Sequence, residues 1–433
     1  MSCFEFLLLL PVSIILLVTS PLLLLIILFA YFFRKVTKGI GFSKKTQKAA
    51  IYDFRAADNI RVTSNALVPE LKAGHCIVKI HAAGVNPVDA KGIVGDKFPE
   101  GWMWFWFRMV SGQIVGFDFS GEIVNVGVNE SDFKVGDEVF GLNYQFLPIG
   151  VGKFGGTLQE FALVPLHEIW QKPKSLTHVE AAALPLVGLT CLQAFEQHGI
   201  KQGDRLLVIG ASGGVGHVAT GIASRKGVNV TGICSTSKVE FVQKMGAAEV
   251  VDYRAEEPAI KKLQNLASKA GKFDMVFDTV SSADSRDKAA NYESQIRSSA
   301  PPIIKVAHGS QAEKGVDKHN YVVFGGIFIS WMRALIKRLS RKSCCCTCNF
   351  FPKGFELFWI DMPHGTRYLK ELQELCDNQG LRPKVSKVLP FDTEGCQAAF
   401  HALNPPKSEK RSTAGKIVIE MVPTSTSLLK IKV

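Results

Sequence analysis

Arg205-Leu206-Leu207-Val208-Ile209-Gly210-Ala211-Ser212-Gly213-Gly214-Val215-Gly216 runs from an apolar strand through a glycine-rich turn into an apolar-periodic stretch, Val215 to Lys226. Glycines let a backbone turn tightly and approach a pyrophosphate, and the helix that follows offers it unpaired N–H groups and a partial positive charge. In this strand, loop and helix context, Ala211, Ser212, Gly213, Gly214, Val215 and Gly216 read as a dinucleotide cradle. A purely structural turn is the competing reading.

Downstream, the strand Val228 to Ile233 leads into Cys234-Ser235-Thr236-Ser237-Lys238. This is where an acid would bind the ribose hydroxyls of NAD. No acid is there. Ser235, Thr236 and Lys238 suit a 2′-phosphate instead, so NADPH is the expected cofactor, unless Lys238 is only a solvated lysine at a helix start. Helix Val239 to Met245 and strand Phe273 to Phe277 continue the alternation, which from Leu184 to about Phe328 predicts a doubly wound parallel sheet. Upstream, from Ile51 to Leu184, short apolar alternations broken by Gly-Asp and Asn-Pro turns predict an all-β unit. Residues 366–376 read as a helix, 404–413 as an exposed loop and Lys416 to Glu420 as a closing strand. The fold class is therefore α/β with a β-rich partner domain.

With 433 residues and 47% hydrophobic content the chain is long enough for two or three cored domains and too apolar for disorder. Its net charge of +12 is localised: residues 34–48 carry six Lys and Arg and residues 333–342 carry five, with no acid in either. The remaining body is close to neutral, which argues against nucleic acid as a partner. Both basic stretches adjoin apolar ones, as anionic lipid headgroups require.

Residues 6–33 are uncharged over 28 positions. A helix of that length spans about 42 Å, more than the roughly 30 Å hydrocarbon core. A transmembrane signal anchor is expected over a cleaved signal peptide, kinked at Pro21, with the N-terminus outside or lumenal and the body that follows cytosolic. Residues 327–342 form either an interfacial helix or an ordinary amphipathic helix packed on the domain. The neighbouring Cys344, Cys345, Cys346 and Cys348 suit acylation better than zinc. Trp102 to Phe107 is a second apolar stretch that would face lipid or core.

Five ordered motifs resemble one family: Ala82 to Asp89 (AAGVNPVD), Val115 to Gly121 (VGFDFSG), Lys134 to Gly141 (KVGDEVFG), Ala181 to Thr190 (AAALPLVGLT) and the glycine loop. They look like the zinc-free quinone oxidoreductase (zeta-crystallin-like) branch of the medium-chain dehydrogenase/reductases, near the reticulon-interacting mitochondrial group. The resemblance covers about residues 51–280 and resumes at 354–422. It implies a GroES-like catalytic domain interrupted by a Rossmann domain, with the active site in the cleft between them. The expected layout is a membrane anchor and basic linker at 1–48, the GroES-like domain at 49–184, the Rossmann domain at 185–334, a basic, Cys-rich insertion at 335–353 and a return to the catalytic domain at 354–433.

By resemblance, Asn86 and Phe117 stand where zinc-dependent relatives carry a cysteine and a histidine ligand, and neither can replace those ligands. The implied enzyme is metal-free, so its substrate must itself accept hydride well, as a quinone or conjugated enone does. Asn86 and Asp89 line the implied site. Asn86 would donate to a developing oxyanion, with an Asx turn before Pro87 as the alternative. Thr190, expected at a strand-to-helix junction, resembles the residue beside the nicotinamide. Tyr253 resembles one at the adenosine phosphate, or is a core tyrosine, and Gly325 and Gly326 would end a strand at the nicotinamide amide. Ile93 to Lys97 lacks the tyrosine acid of the enoyl-thioester reductases. The family is commonly dimeric, which leaves a homodimer open. A membrane-bound NADPH-binding protein without turnover, acting as redox sensor or trafficking partner, is the competing function.

Overall fold

The computed structural model describes residues 42–53, 60–87, 89, 112–127, 132–143, 155–279, 303–306, 355–358, 365–403 and 414–421. The N-terminal apolar run, Trp102 to Phe107, Gly325, Gly326, residues 327–342 and the clustered cysteines lie outside the described residues. Among the described residues no helix is long and apolar enough to cross a membrane.

The first half is β-rich. Strands β1 (Phe42–Tyr52) and β2 (Ile60–Pro69) pair antiparallel. They are followed by β3 (His75–Val85), β4 (Asp118–Val126), β5 (Glu138–Leu142), β6 (Phe161–Pro165) and β7 (Ile169–Gln171). Helices α1 (His178–Ala182) and α2 (Pro185–Gln197) lead out of it. Thr177 starts α1 with a capping box: its hydroxyl accepts from Glu180 N while Glu180 returns a carboxylate to Thr177 N.

The second half alternates: β8 (Arg205–Ile209), α3 (Gly216–Arg225), β9 (Asn229–Cys234), α4 (Val239–Lys244), β10 (Glu249–Asp252), α5 (Ala259–Ala270), β11 (Met275–Asp278), β12 (Ile303–Val306) and β13 (Phe355–Phe358). Their order in the sheet is β10-β9-β8-β11-β12-β13, every pairing parallel. The order reverses between β8 and β11, and ligands of such sheets bind in the crevice at that switch point. Leu206 to Ile209 are all buried, the continuous apolar run expected of a strand covered on both faces.

The chain closes with α6 (Gly365–Gln379), β14 (Val385–Pro390), α7 (Thr393–Leu403) and β15 (Lys416–Glu420). β15 pairs parallel with β14 and antiparallel with β3, completing the order β14-β15-β3-β4-β5-β7. α7 covers this sheet: Cys396, Ala399 and Phe400 join Val78, Ile80, Phe119, Ile123, Ile417 and Ile419 in one core.

Two expected boundaries are corrected. The return to the β-rich unit begins at Val385, not at 354, because β13 pairs with β12 in the parallel sheet. α6 lies between the two units: a Cβ on Gly188 of α2 would overlap Leu372 Cδ1 of α6, and Gln373 of α6 accepts from Trp170 Nε1 of β7 at 3.0 Å. At the other end the expected linker 1–48 overlaps β1, in which Lys44, Lys45 and Lys48 are strand residues. A single core cluster runs from Phe117, Phe140 and Leu142 of the β-rich unit through α2 to Leu206 and Val208. Phe195 of α2 meets Phe277 of β11 edge to face with centroids 5.5 Å apart.

Candidate functional site

Asn86 directly follows β3, and the register Ile417 opposite Val85 sets Lys416, the first residue of β15, beside it. The turn after Asn86 is closed by Asp89, whose Oδ2 accepts from Asn86 N at 2.6 Å while Asp89 N donates to Asn86 O at 3.0 Å. The Asn86 side chain is therefore not spent on an Asx turn. Its Nδ2 donates to Asp118 Oδ2 at 2.8 Å, and its Oδ1 accepts from Lys416 Nζ. Among the described residues one Nδ2–H remains for another acceptor.

Asp118, at the start of β4, is the hub of the cluster. Its Oδ2 also takes Lys416 Nζ at 3.2 Å, and its Oδ1 accepts from Leu186 N at 2.7 Å. Leu186 lies in the first turn of α2, so a carboxylate from a distant strand satisfies an orphan N–H at the positive end of that helix. Burial pushes Asp118 upward, against the pull of Lys416 and Asn86. Asp89 is fully buried, and that burial pushes its carboxyl up to about 8 despite the Asn86 N–H. Its Oδ1 has no hydrogen-bond partner among the described residues. Tyr52 of β1 donates to Asp89 O at 2.5 Å, and burial raises its phenol well above the usual value.

The glycine loop leaves β8 at the switch point. Gly210 takes φ +75°, which admits glycine readily, and a Cβ on Gly216 would overlap the Gly210 carbonyl oxygen, so α3 starts hard against the strand end. Among the described residues the N–H groups of Ser212, Gly214 and Val215 have no acceptor. Unpaired donors at a helix start fit the diphosphate of a dinucleotide, so these residues would hold it. Ala211 N donates to Ile233 O at 2.9 Å, bringing the end of β9 alongside the loop. There Lys238 N closes a turn on Ser235 O at 2.8 Å and Tyr253 N donates to Cys234 O at 3.1 Å, so Ser235, Lys238 and Tyr253 share one corner with exposed Thr236. Tyr253 is half-buried against the Ile233 and Val251 core.

Thr190 lies within α2 rather than at a strand-to-helix junction, and its hydroxyl donates to Leu186 O at 2.7 Å. Lys416, Tyr52 and His217 are site neighbours that sequence reading missed. His217 is fully buried, contacts Gly213 O through Nδ1 at 2.7 Å, and accepts from Lys384 N through Nε2 at 3.0 Å. Burial drives its imidazole down to about 4. The only signals for these residues were a lysine opening an apolar strand and a histidine inside an apolar helix. Arg254 adds a second cation beside Tyr253, 5.5 Å from its ring. Among the described residues no group of three His, Cys, Asp or Glu is placed to hold a metal.

A β-rich unit that closes on its own C-terminal strand and a switch-point glycine loop, with a buried polar cluster beside it, define a two-domain nucleotide-dependent dehydrogenase architecture. The alcohol dehydrogenase GroES-like domain family matches residues 72–174, and the zinc-binding dehydrogenase family matches 214–293. The bovine mitochondrial NAD(P)H oxidoreductase RTN4IP1 is 32% identical over 401 residues, covering 84% of this chain and 86% of that protein. The chloroplast envelope quinone oxidoreductase homolog of Arabidopsis thaliana is 35% identical over 204 residues, covering 45% of this chain and 57% of that protein. The quinone oxidoreductase of Coxiella burnetii shares the fold with TM-score 0.63 and 23% identity, covering 87% of this chain and all of that one. The chain belongs to the medium-chain dehydrogenase/reductase superfamily, in the quinone oxidoreductase-like branch near RTN4IP1.

Proposed function

We propose that the protein is a membrane-anchored, zinc-independent, NADPH-dependent oxidoreductase that transfers hydride to a quinone or a conjugated enone. The observation that carries this reading is the Asn86 carboxamide held between Asp118 and Lys416, next to the glycine loop. When bound, NADPH supplies the hydride. The chain's own residues then bind the diphosphate through Ser212, Gly214 and Val215 N–H groups, engage the 2′-phosphate through Ser235, Thr236 and Lys238, and offer the free Asn86 Nδ2–H to the acceptor's developing oxyanion.

Zinc independence is supported by charge. The Asn86 oxygen, at the position of a ligand cysteine in zinc-dependent relatives, accepts from a buried ammonium, and a divalent cation there would sit beside like charge. A buried Phe117 supplies no lone pair at the second ligand position. The acceptor class is supported by relatives named as quinone oxidoreductase homolog and NADPH-dependent alkenal/one oxidoreductase. The anchor is supported by the 28 uncharged residues at 6–33 and the basic residues that follow them.

NADPH oxidation by the full-length protein in detergent, with quinone and enone acceptors, tests this. Turnover with either supports the reading, and NADPH binding without turnover on any acceptor returns the protein to the sensing role.

A further inference from the structure

The lysine that opens β15 reaches both halves of the molecule. Gly415 N donates to Ser212 O of the glycine loop at 3.1 Å. A Cβ placed on Gly214 would lie 3.5 Å from Lys416 Cδ, so the lysine stem rests on that loop. Its head is in the other half, on Asn86 Oδ1 and Asp118 Oδ2, with the side chain only 3% exposed. Lys416 N is fixed in turn by Lys384 O at 2.8 Å, and Lys384 N by His217 Nε2, whose ring grips Gly213 O. The glycine loop, His217 and the 384 and 415–416 backbone thus form one hydrogen-bonded ring, and from it the Lys416 side chain reaches out to the Asn86 carboxamide.

A primary carboxamide can flip end for end at little cost when its neighbours are neutral, because its oxygen and nitrogen are similar in size. Here an ammonium on Oδ1 and a carboxylate on Nδ2 favour one orientation over the other, by an amount that depends on how firmly the ammonium is held. The same ammonium draws electron density from the amide and makes the remaining N–H a stronger donor.

We propose that Lys416 is a positioning residue that couples occupancy of the glycine loop to the orientation of the Asn86 carboxamide. A diphosphate settling on Ser212 to Val215 fixes the surface on which the lysine stem lies, and the ammonium carries that order to the amide that meets the acceptor. This rests on the reading above that the glycine loop takes NADPH and that Asn86 faces the reacting end.

The test uses full-length protein with 15N-labelled asparagine, in which the Asn86 side-chain amide is the signal lost in Asn86→Ser. NADPH should shift this signal in the wild-type protein. Lys416→Met alone leaves Asp118 buried without its cation, so the pair Lys416→Met with Asp118→Asn is used as well. In that double variant NADPH affinity, read by fluorescence, should stay within about threefold of wild type. The Asn86 signal should no longer respond to NADPH, and kcat should fall about tenfold with KM for the acceptor little changed. A wild-type-like NADPH shift in the double variant, or no shift in the wild-type protein, overturns the proposal. Absence of turnover in wild-type protein whose Asn86 signal still responds overturns the catalytic reading and leaves the coupling standing.

Discussion

Lys416 Nζ lies 3.2 Å from Asp118 Oδ2, and the two side chains are 3% and 0% exposed. They are 298 residues apart in the chain and meet where β15 closes the β-rich sheet on β3. Breaking a buried pair by removing one partner costs about 3–5 kcal/mol, because the other charge is left without compensation. Lys416→Met or Asp118→Asn alone should therefore lower the melting temperature sharply. The double replacement should lose less than the sum of the two, and additive losses in a thermal-unfolding cycle would show that the ion pair is not coupled.

Gly216 is the most constrained position of the dinucleotide loop. Gly216→Ala drives a methyl into the Gly210 carbonyl, whereas Gly213→Ala brings its Cβ to 3.2 Å from the same oxygen. NADPH affinity should fall by about tenfold or more in Gly216→Ala, and by less in Gly213→Ala. Titration by fluorescence reads both, and equal effects would place the tight contact elsewhere.

Cofactor choice follows from the corner after β9. Lys238→Glu should weaken NADPH binding while leaving NADH unchanged, since only NADPH carries the 2′-phosphate that Ser235, Thr236 and Lys238 would meet. A parallel loss for both cofactors would assign Lys238 a structural role.

Asp89 links stability to pH. Its folded value of about 8 lies above the ordinary 3.8, so between these values the folded state holds a proton that the unfolded state has released. Stability from this group is therefore full in acid and lost as pH rises towards 8. Asp89→Asn should flatten the decline of a melting-temperature profile between about pH 4 and pH 8. His217, lowered to about 4, acts in the opposite sense: its contribution is lost as pH falls from 6.5 towards 4.

The Rossmann half was legible because its signals are local. Leu206 to Ile209 is one unbroken apolar run with Gly210 and Gly216 after it, and in the β-rich half Lys416 to Glu420 emerged with the bounds expected. The polar cluster was not legible, because Lys416 finds Asp118 and Asn86 across 298 and 330 residues. No spacing rule reaches that far. The segment after 354 was misassigned for a related reason: Phe355 to Phe358 is four residues long, and only its pairing with β12 reveals which sheet it joins. Thr190, expected at a strand-to-helix junction by resemblance, lies inside α2, which already begins at Pro185.

The central claim is hydride transfer from NADPH to a conjugated acceptor without a metal, and the most direct measurement is NADPH consumption by full-length protein after exhaustive chelation, with a quinone and an enone in turn. The account predicts turnover that is undiminished by chelation and reduced in Asn86→Ala more strongly than NADPH affinity is. Activity abolished by the chelator and restored by zinc would contradict it.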